Sequence, residues 1–599
     1  MTATVESDQF ALDVAWNIET LLPIPAEAGL DTLLDAAAAV GERLAARRGT
    51  VRTMTSSELA DFMRGLAEIG DTIGRVGSYA HLAFATDTES PEHGARLMKV
   101  EERTTAINTQ LLWFELEWAE LGDEQVEELL QDPALDFAAH HLRSQRRYRP
   151  HLLSEPEEVV LSEKAVTGAG AWVRLFEELT SAVTLEVDGE STKLESGLAL
   201  LGSPDRAVRK RAAQAVTAGL APGLRTRAYV FNTLLADKSI DDRIRAFPSW
   251  VSSRNLANEA SDASVEALVS AVQSRNAIPQ RWYTLKAQLL GLDQLADYDR
   301  MASVASSEST IGWAEARDIV LDAYSSFSPQ LANIAQKFFD ENWIDAPVRS
   351  AKRPGAFCAY TVPSHHPYLM LNWTARRRDV LTLAHELGHG IHAYLSRTQG
   401  VFHQSTPLTL AETASVFGET VTFGRLLEAT TEPNERLALL AESLEGTIAT
   451  VFRQVAMNRF EASVHAARRE EGELSVDRFG ELWYDSQRDM LGDSVEITDG
   501  YRSWWSYVPH FIGSPGYVYA YAYGQLLALS VYARYEAAGE SFVAQYLKLL
   551  SAGGSLPPEE LGKIVDCDLT DPGFWDAGLD IVQRQLDDTI AAATAANRL

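Results

Sequence analysis

The chain has 599 residues, 46% of them apolar, which is enough for two or more packed lobes and argues against disorder. Asp and Glu outnumber Lys and Arg by 84 to 53, and the resulting net charge of −31 speaks against nucleic acid and anionic membranes as partners. The two cysteines, Cys358 and Cys567, are too far apart in sequence to suggest a disulfide framework or a cysteine zinc site, so any metal must be held by histidine and carboxylate.

The opening stretch "MTATVESDQFALDVAWNIETLLP" carries acids where a secretory signal would be basic, and nowhere do about 18 uninterrupted apolar residues occur. A cytoplasmic protein with no membrane partner is expected. Apolar residues then recur every three or four positions in "LDTLLDAAAAVGERLAARRG", in "SVEALVSAVQSRN" and in the long run "NERLALLAESLEGTIATVFRQVAMNRFEASVHAARREEG". This periodicity predicts a mainly α fold. It is broken at "AVTLEVDGESTKL", where alternation around Asp188-Gly189 predicts a hairpin. That hairpin marks the expected seam between an N-terminal helical lobe, 1–190, and a catalytic domain, 191–599. There is no tandem repeat and no long low-complexity linker, so the lobes are expected to pack rather than swing.

A second break, "AFCAYTVPSHHPYLMLNW", predicts two short strands separated by Pro363 to Pro367. Its first run, Phe357, Cys358, Ala359 and Tyr360, has the pattern of an edge strand on which an extended peptide could pair, and equally that of an ordinary buried strand. His365 and His366 in the loop between the runs, and His403 further on, read as loop residues rather than ligands.

"LTLAHELGHGIHAYL", residues 381–395, places His385, Glu386, His389 and His392 on one helix. At 100° per residue Val380, Leu383, Leu387, Ile391 and Tyr394 form an apolar arc, and the histidines line the opposite side. Asp379 is the candidate N-cap, and Gly388 and Gly390 leave room for close approach. His385 and His389 are one turn apart, roughly 6 Å along the axis, so both imidazoles can reach one ion. His392 lies about 10.5 Å from His385 and reads as a supporting or packing residue. Glu386 projects about a quarter turn away, where it can address a water held by the metal. This is the H-E-x-x-H arrangement of a zinc hydrolase.

A third ligand is required. The metzincin pattern fails, because positions 392 and 395 hold His and Leu rather than Gly and His. A following helix, "LTLAETASVFGETVTFGRLLEA", offers Glu412 and Glu419 on nearly one face among apolar neighbours. Glu412 is the expected ligand and Glu419 the expected support for an imidazole. Near the C-terminus, "YVPHFIGSPGYVYAYAYGQLLALSVYARYEAAG" predicts a loop followed by a helix that ends near Gly539 and separates its tyrosines into the pairs 517/521 and 519/523.

In "HELGHGIH" and "LAETASVFGE", together with "RPGAFCAYTVPSHHPYLMLNW", "VFRQVAMNRFEASVH", "LWYDSQRDMLGDSV", "WWSYVPHF" and "GYVYAYAYG", the sequence resembles the zinc oligopeptidases of the thimet oligopeptidase and oligoendopeptidase F family, most nearly the bacterial oligoendopeptidase F branch. The resemblance runs through residues 200 to 580. It implies two helical lobes enclosing a deep substrate channel, with a small β element beside the zinc-binding helices. It also implies one Zn²⁺ per chain on His385, His389 and Glu412, with Glu386 as general base. In that family a histidine and one or two tyrosines donate hydrogen bonds to substrate and oxyanion. His510 matches the histidine, Tyr517 and Tyr521 are the tyrosine candidates, and Tyr519 is a further substrate contact; "IGSPG" departs from the more aromatic family spacing and leaves open which tyrosine serves.

The expected activity is zinc-dependent endopeptidase hydrolysis of short unfolded oligopeptides, with no obligate protein partner. Two alternatives stay open: a zinc carboxypeptidase trimming peptide C-termini, and a non-catalytic peptide-binding scaffold with a structural metal.

Overall fold

Helices dominate, as the three-to-four-residue periodicity predicts, and only short strands interrupt them. A computed structural model of the chain describes residues 8–24, 26–304 and 310–599. Its internal contacts divide the chain into two units, each assembled from separate stretches. The first comprises Met1–Arg149, Glu308–Leu426 and Arg534–Cys567, and the second Pro150–Ser307, Leu427–Ala533 and Asp568–Leu599. The single boundary expected at residue 190 falls inside the second unit. The hairpin itself forms, Thr184–Val187 pairing antiparallel with Glu190–Lys193, and Asp188 and Gly189 both take the positive φ that a tight two-residue turn requires. It is no seam, because its Leu185 is buried in the second unit's core with Leu201, Val216 and Leu220.

In the first unit the helix Ser56–Thr86 starts at a capping box: the Thr55 hydroxyl accepts from the Glu58 amide, and the Glu58 carboxylate accepts from the Thr55 amide. Its Leu59, Phe62 and Met63 join Trp113, Phe114 and Trp118 in one buried cluster. The small β element is a three-stranded sheet with Tyr368–Trp373 in the middle, parallel to Ile344–Pro347 and antiparallel to Phe357–Ala359. Both strands expected from "AFCAYTVPSHHPYLMLNW" are present. Ile344–Pro347 was not expected, since "IDAP" is too short to alternate and ends in a residue that cannot donate to a ladder.

The second unit is built on an aromatic core in which Phe231 stacks on Phe479 at 5.1 Å and Phe479 on Trp505 at 4.6 Å. The long helical run predicted from "NERLALLAESLEG…" is present as Pro433–Ile448 and Gln454–Glu471, joined through a π-helical turn at Ala449–Arg453. Among the described residues no helix is long and apolar enough to cross a membrane, and both cysteines are free thiols.

Candidate metal centre and active site

The helix that carries the motif spans Arg377–Ser396. It begins three residues earlier than an Asp379 N-cap would place it. Asp379 instead reaches back from the third helical position, its carboxylate accepting from the amides of Thr374 and Arg376 at 2.7 and 3.1 Å. A carboxylate there satisfies donors that the helix start would leave unpaired, just as an N-cap would, and local sequence does not separate the two positions. Val380, Leu383, Leu387 and Ile391 are buried as the apolar arc requires, with Tyr394 at its half-exposed edge.

Glycine settles how near the next helix comes. The ligand helix, Leu408–Ala429, crosses the motif helix so tightly that a Cβ on Gly388 would lie 2.5 Å from the Cα of Ser415. That approach brings Glu412 to the histidines. Its Oε2 is 3.3 Å from His385 Nε2 and 3.4 Å from His389 Nε2, and the ligand atoms of all three residues lie within 4.8 Å of one another. Tetrahedral zinc ligands at 2.0–2.1 Å stand about 3.3 Å apart, so the donor spacing matches the edge of such a site. Two imidazole nitrogens and one carboxylate oxygen are also the donor set of catalytic zinc, whereas calcium and magnesium take oxygen.

The surroundings orient these groups. His385 donates through Nδ1 to Glu419 Oε2 at 3.3 Å, which leaves Nε2 facing Glu412. Ser415 donates to Glu412 Oε2 at 2.7 Å. Ser415 was absent from the sequence reading, although its i, i+3 spacing from Glu412 was the available signal. Burial disfavours an imidazolium at His385, but the hydrogen bonds to Glu412 and Glu419 outweigh it and push the pKa up to about 10. Burial likewise opposes the charge on Glu412, and its two histidine partners overcome it, holding the carboxyl well below the ordinary range. The site thus concentrates negative charge for a cation.

Glu386 is 7% exposed and does not join the three-residue cluster. Burial raises its carboxyl above the usual range, the two histidines pulling the other way. It borders a cleft of about 390 Å³, lined also by Phe357, Cys358, Tyr360, His389 and Ala411. Phe357–Ala359 is the edge of its sheet and half-buried, so its other side has no strand partner among the described residues. Tyr360 lies just beyond the strand, its carbonyl accepting from Thr361 Oγ1 at 2.7 Å and Gln404 Nε2 at 3.3 Å, which ends the edge available for pairing. Burial pushes the Cys358 thiol well above its ordinary range and the Glu386 charge adds to this, so the thiol stays protonated.

The other histidines weighed in the sequence lie outside the three-residue cluster. His392 is buried and outside the cluster, and burial pushes it down to about 3, a neutral packing ring. His366 stacks on Trp343 at 4.1 Å, His365 shares a hydrogen bond with the Thr20 carbonyl at 2.9 Å, and His403 Nε2 accepts from the His141 amide at 3.1 Å.

In the second unit the helix Tyr519–Ala538 ends where predicted and puts Tyr519 and Tyr523 on one face, but Tyr517 precedes its first residue and meets Tyr521 through a ring contact at 5.2 Å rather than through helical periodicity. Tyr517 and Tyr521 flank His510: its Nε2 lies 3.2 Å from the Tyr521 hydroxyl, and its ring stacks with Tyr517 at 6.0 Å. Burial lowers the His510 pKa, which favours a neutral ring with one N–H to donate. Tyr519 does not fit the substrate contact expected of it. It is 0% exposed, and its hydroxyl accepts from Asn258 Nδ2 at 2.9 Å, because the face of the helix it shares with Tyr523 turns into the unit's core.

Comparison with known proteins follows the same lines. The description "Peptidase family M3" matches residues 199–581, and "Oligopeptidase F" matches 117–184. Oligopeptidase PepF of Bacillus subtilis (strain 168) is 26% identical over 535 residues, 87% of this chain and 79% of that protein. Two crystal structures share the fold. One, of a Chlamydophila abortus protein described as a peptidase, superposes with a TM-score of 0.87 at 22% identity over 96% of this chain and 98% of the other. The other, oligoendopeptidase-F from Enterococcus faecium, gives 0.69 at 20% identity over 95% and 100%.

Proposed function

The chain belongs to peptidase family M3 and is a metallopeptidase; from that premise we propose that it is a zinc-dependent endopeptidase that hydrolyses internal bonds of short unfolded oligopeptides. The observation that carries the reading is the convergence of His385, His389 and Glu412 at separations suited to one tetrahedral ion, with Glu386 on the adjoining cleft wall. When bound there, zinc supplies Lewis acidity, lowering the pKa of a coordinated water to about 7 and polarising a peptide carbonyl.

The chain's own residues do the rest. Glu386 accepts the proton of the attacking water and returns it to the leaving amine nitrogen. Its burial favours this role, since a carboxyl raised above its ordinary range is a better-matched base near neutral pH. Glu419 keeps His385 in the tautomer that presents Nε2. The free edge of Phe357–Ala359 pairs with substrate backbone while side chains enter the cleft. His510, with Tyr517 or Tyr521, donates hydrogen bonds to substrate and to the developing oxyanion. The oligopeptidase names of the relatives support short peptides as substrates.

The test is mass spectrometry of products from a mixed peptide library that includes peptides blocked at both ends, with metal-replete and chelated enzyme. Internal cleavage of blocked peptides, lost on chelation and restored by zinc, is expected. Release of single C-terminal residues alone would make it a carboxypeptidase, and no cleavage at all would make it a scaffold. Metal analysis of Glu412→Ala should show far weaker binding, and full retention would remove Glu412 from the ligand set.

A further inference from the structure

The residues Ser514-Pro515-Gly516-Tyr517 form a turn in which the Tyr517 amide donates to the Ser514 carbonyl at 3.1 Å. Gly516 has φ +71°, so with Pro515 before it the turn has the signature of type II. Types I and II differ by a rotation of the central peptide plane, here the one joining Pro515 to Gly516, and a Pro-Gly pair tolerates both. Something else must choose between them.

Both ends of that one peptide are held. Its carbonyl accepts from Arg254 Nε at 3.3 Å, and its N–H donates to Glu461 Oε1 at 2.9 Å. Arg254 also lays its guanidinium 5.8 Å from the centre of the Tyr517 ring. Glu461 is 1% exposed on the helix Gln454–Glu471, and its second oxygen is buried without a hydrogen-bond partner. A carboxyl kept in such a place for one backbone amide is costly to bury for packing alone. Gly516 is pressed close as well: a Cβ there would lie 3.2 Å from Val251 Cγ2 and 3.4 Å from Arg254 Cβ.

We propose that Glu461 and Arg254 are positioning residues that clamp the Pro515–Gly516 peptide in its type II orientation and so fix Tyr517 against His510. The inference rests on the reading of His510 and its tyrosines as hydrogen-bond donors to substrate. A rotated peptide would turn the N–H away from Glu461 and the carbonyl away from Arg254, and would release the guanidinium that packs against the Tyr517 ring and holds it on the imidazole. Burial pushes the Glu461 carboxyl up to about 8, against the pull of the Gly516 amide and of Arg254, and glutamine keeps its size and its carbonyl acceptor.

The experiment uses full-length, metal-loaded enzyme and an internally quenched peptide, with hydrogen exchange read at Gly516. In Glu461→Leu, kcat should fall about 10- to 100-fold, the size of effect expected when a reacting group is displaced by about 1 Å. KM and metal content should hold, and the Gly516 amide should exchange faster. Glu461→Gln, which keeps the acceptor, should restore both kcat and protection. Arg254→Met, from a half-buried position, carries the same test from the other end of the peptide should the leucine variant not fold. A protected Gly516 amide in folded Glu461→Leu, or lost protection with unchanged kcat, overturns the clamp. If His510→Ala turns over like the parent, the underlying reading falls and the proposal with it; a crippled His510→Ala beside a normal Glu461→Leu sinks the clamp alone.

Discussion

His385 and His389 are positioned by the helix that contains them, and Glu412 by a second helix packed on the first at Gly388. Every relation among the three follows from helical periodicity and one missing side chain. His510 and Tyr517 are placed differently. The loop between them is held by Arg254, about 260 residues earlier, and by Glu461, 55 residues earlier. The first region takes its geometry from regular secondary structure, the second from side chains that grip an irregular backbone. Changes at the first should therefore act through chemistry on an intact frame, and changes at the second through the frame as well.

The largest expected effect tests the first half of that contrast. Glu386→Gln keeps size and leaves the helix, both imidazoles and Glu412 in place, but removes the carboxylate that takes a proton. Turnover should fall about 10²- to 10⁴-fold, roughly 3–5 kcal/mol of barrier, while zinc content and peptide affinity persist. Unchanged hydrolysis by the metal-loaded variant would remove Glu386 from its role as base. His510→Ala comes next. Loss of an oxyanion donor lowers kcat about 10²- to 10³-fold, and zinc content should not change, since His510 lies outside the ligand cluster. Tyr517→Phe and Tyr521→Phe, compared by kcat, then decide which hydroxyl serves; of the two, Tyr521 has its hydroxyl beside the His510 ring nitrogen.

The same contrast explains what could be read from sequence. The cluster of His385, His389 and Glu412 was legible because i, i+4 spacing and the faces of two helices determine it, and the Glu419 contact with His385 because a seven-residue step puts Glu419 on the same face as Glu412. The pairing of tyrosines 519/523 was legible for the same reason, whereas Tyr517 stands in the turn before the helix and meets Tyr521 through a ring contact that periodicity does not explain. Tyr519 was misplaced because periodicity tells which residues share a face but not which face is buried; Asn258, which takes its hydroxyl, lies 261 residues away in sequence. Arg254 and Glu461 carried no local signal, as a side chain that holds a distant backbone amide obeys no spacing rule. The division of the chain was hidden too, since each unit collects three separated stretches and the hairpin that resembled a boundary is core.

Glu419→Gln sharpens the first half of the comparison at smaller scale. Glutamine can still accept from His385 Nδ1, but without the charge that strengthens the bond and the basicity of the ring. Zinc affinity should drop about 10- to 100-fold, the usual consequence of altering a ligand's hydrogen-bond partner. Competition against a chelator of known affinity measures it, and kcat at saturating zinc should change little. An unaltered affinity would mean that helix geometry alone orients His385 and that Glu419 is a bystander.

The smallest effect expected lies in the second region, where it separates frame from chemistry. Tyr519→Phe removes only the hydroxyl that accepts from Asn258 Nδ2 in the buried core, leaving that amide donor without this partner. Losing one partner of a buried hydrogen bond costs about 1–3 kcal/mol of stability, which denaturant unfolding reads directly. Turnover should be preserved, because the ring still fills its place and the 517/521 face is untouched. If instead kcat collapsed in Tyr519→Phe while Tyr517→Phe and Tyr521→Phe were both tolerated, the face of this helix that meets substrate would be the one the structure buries. The second region would then have to open during catalysis, and its geometry would belong to a moving part rather than to a clamped one.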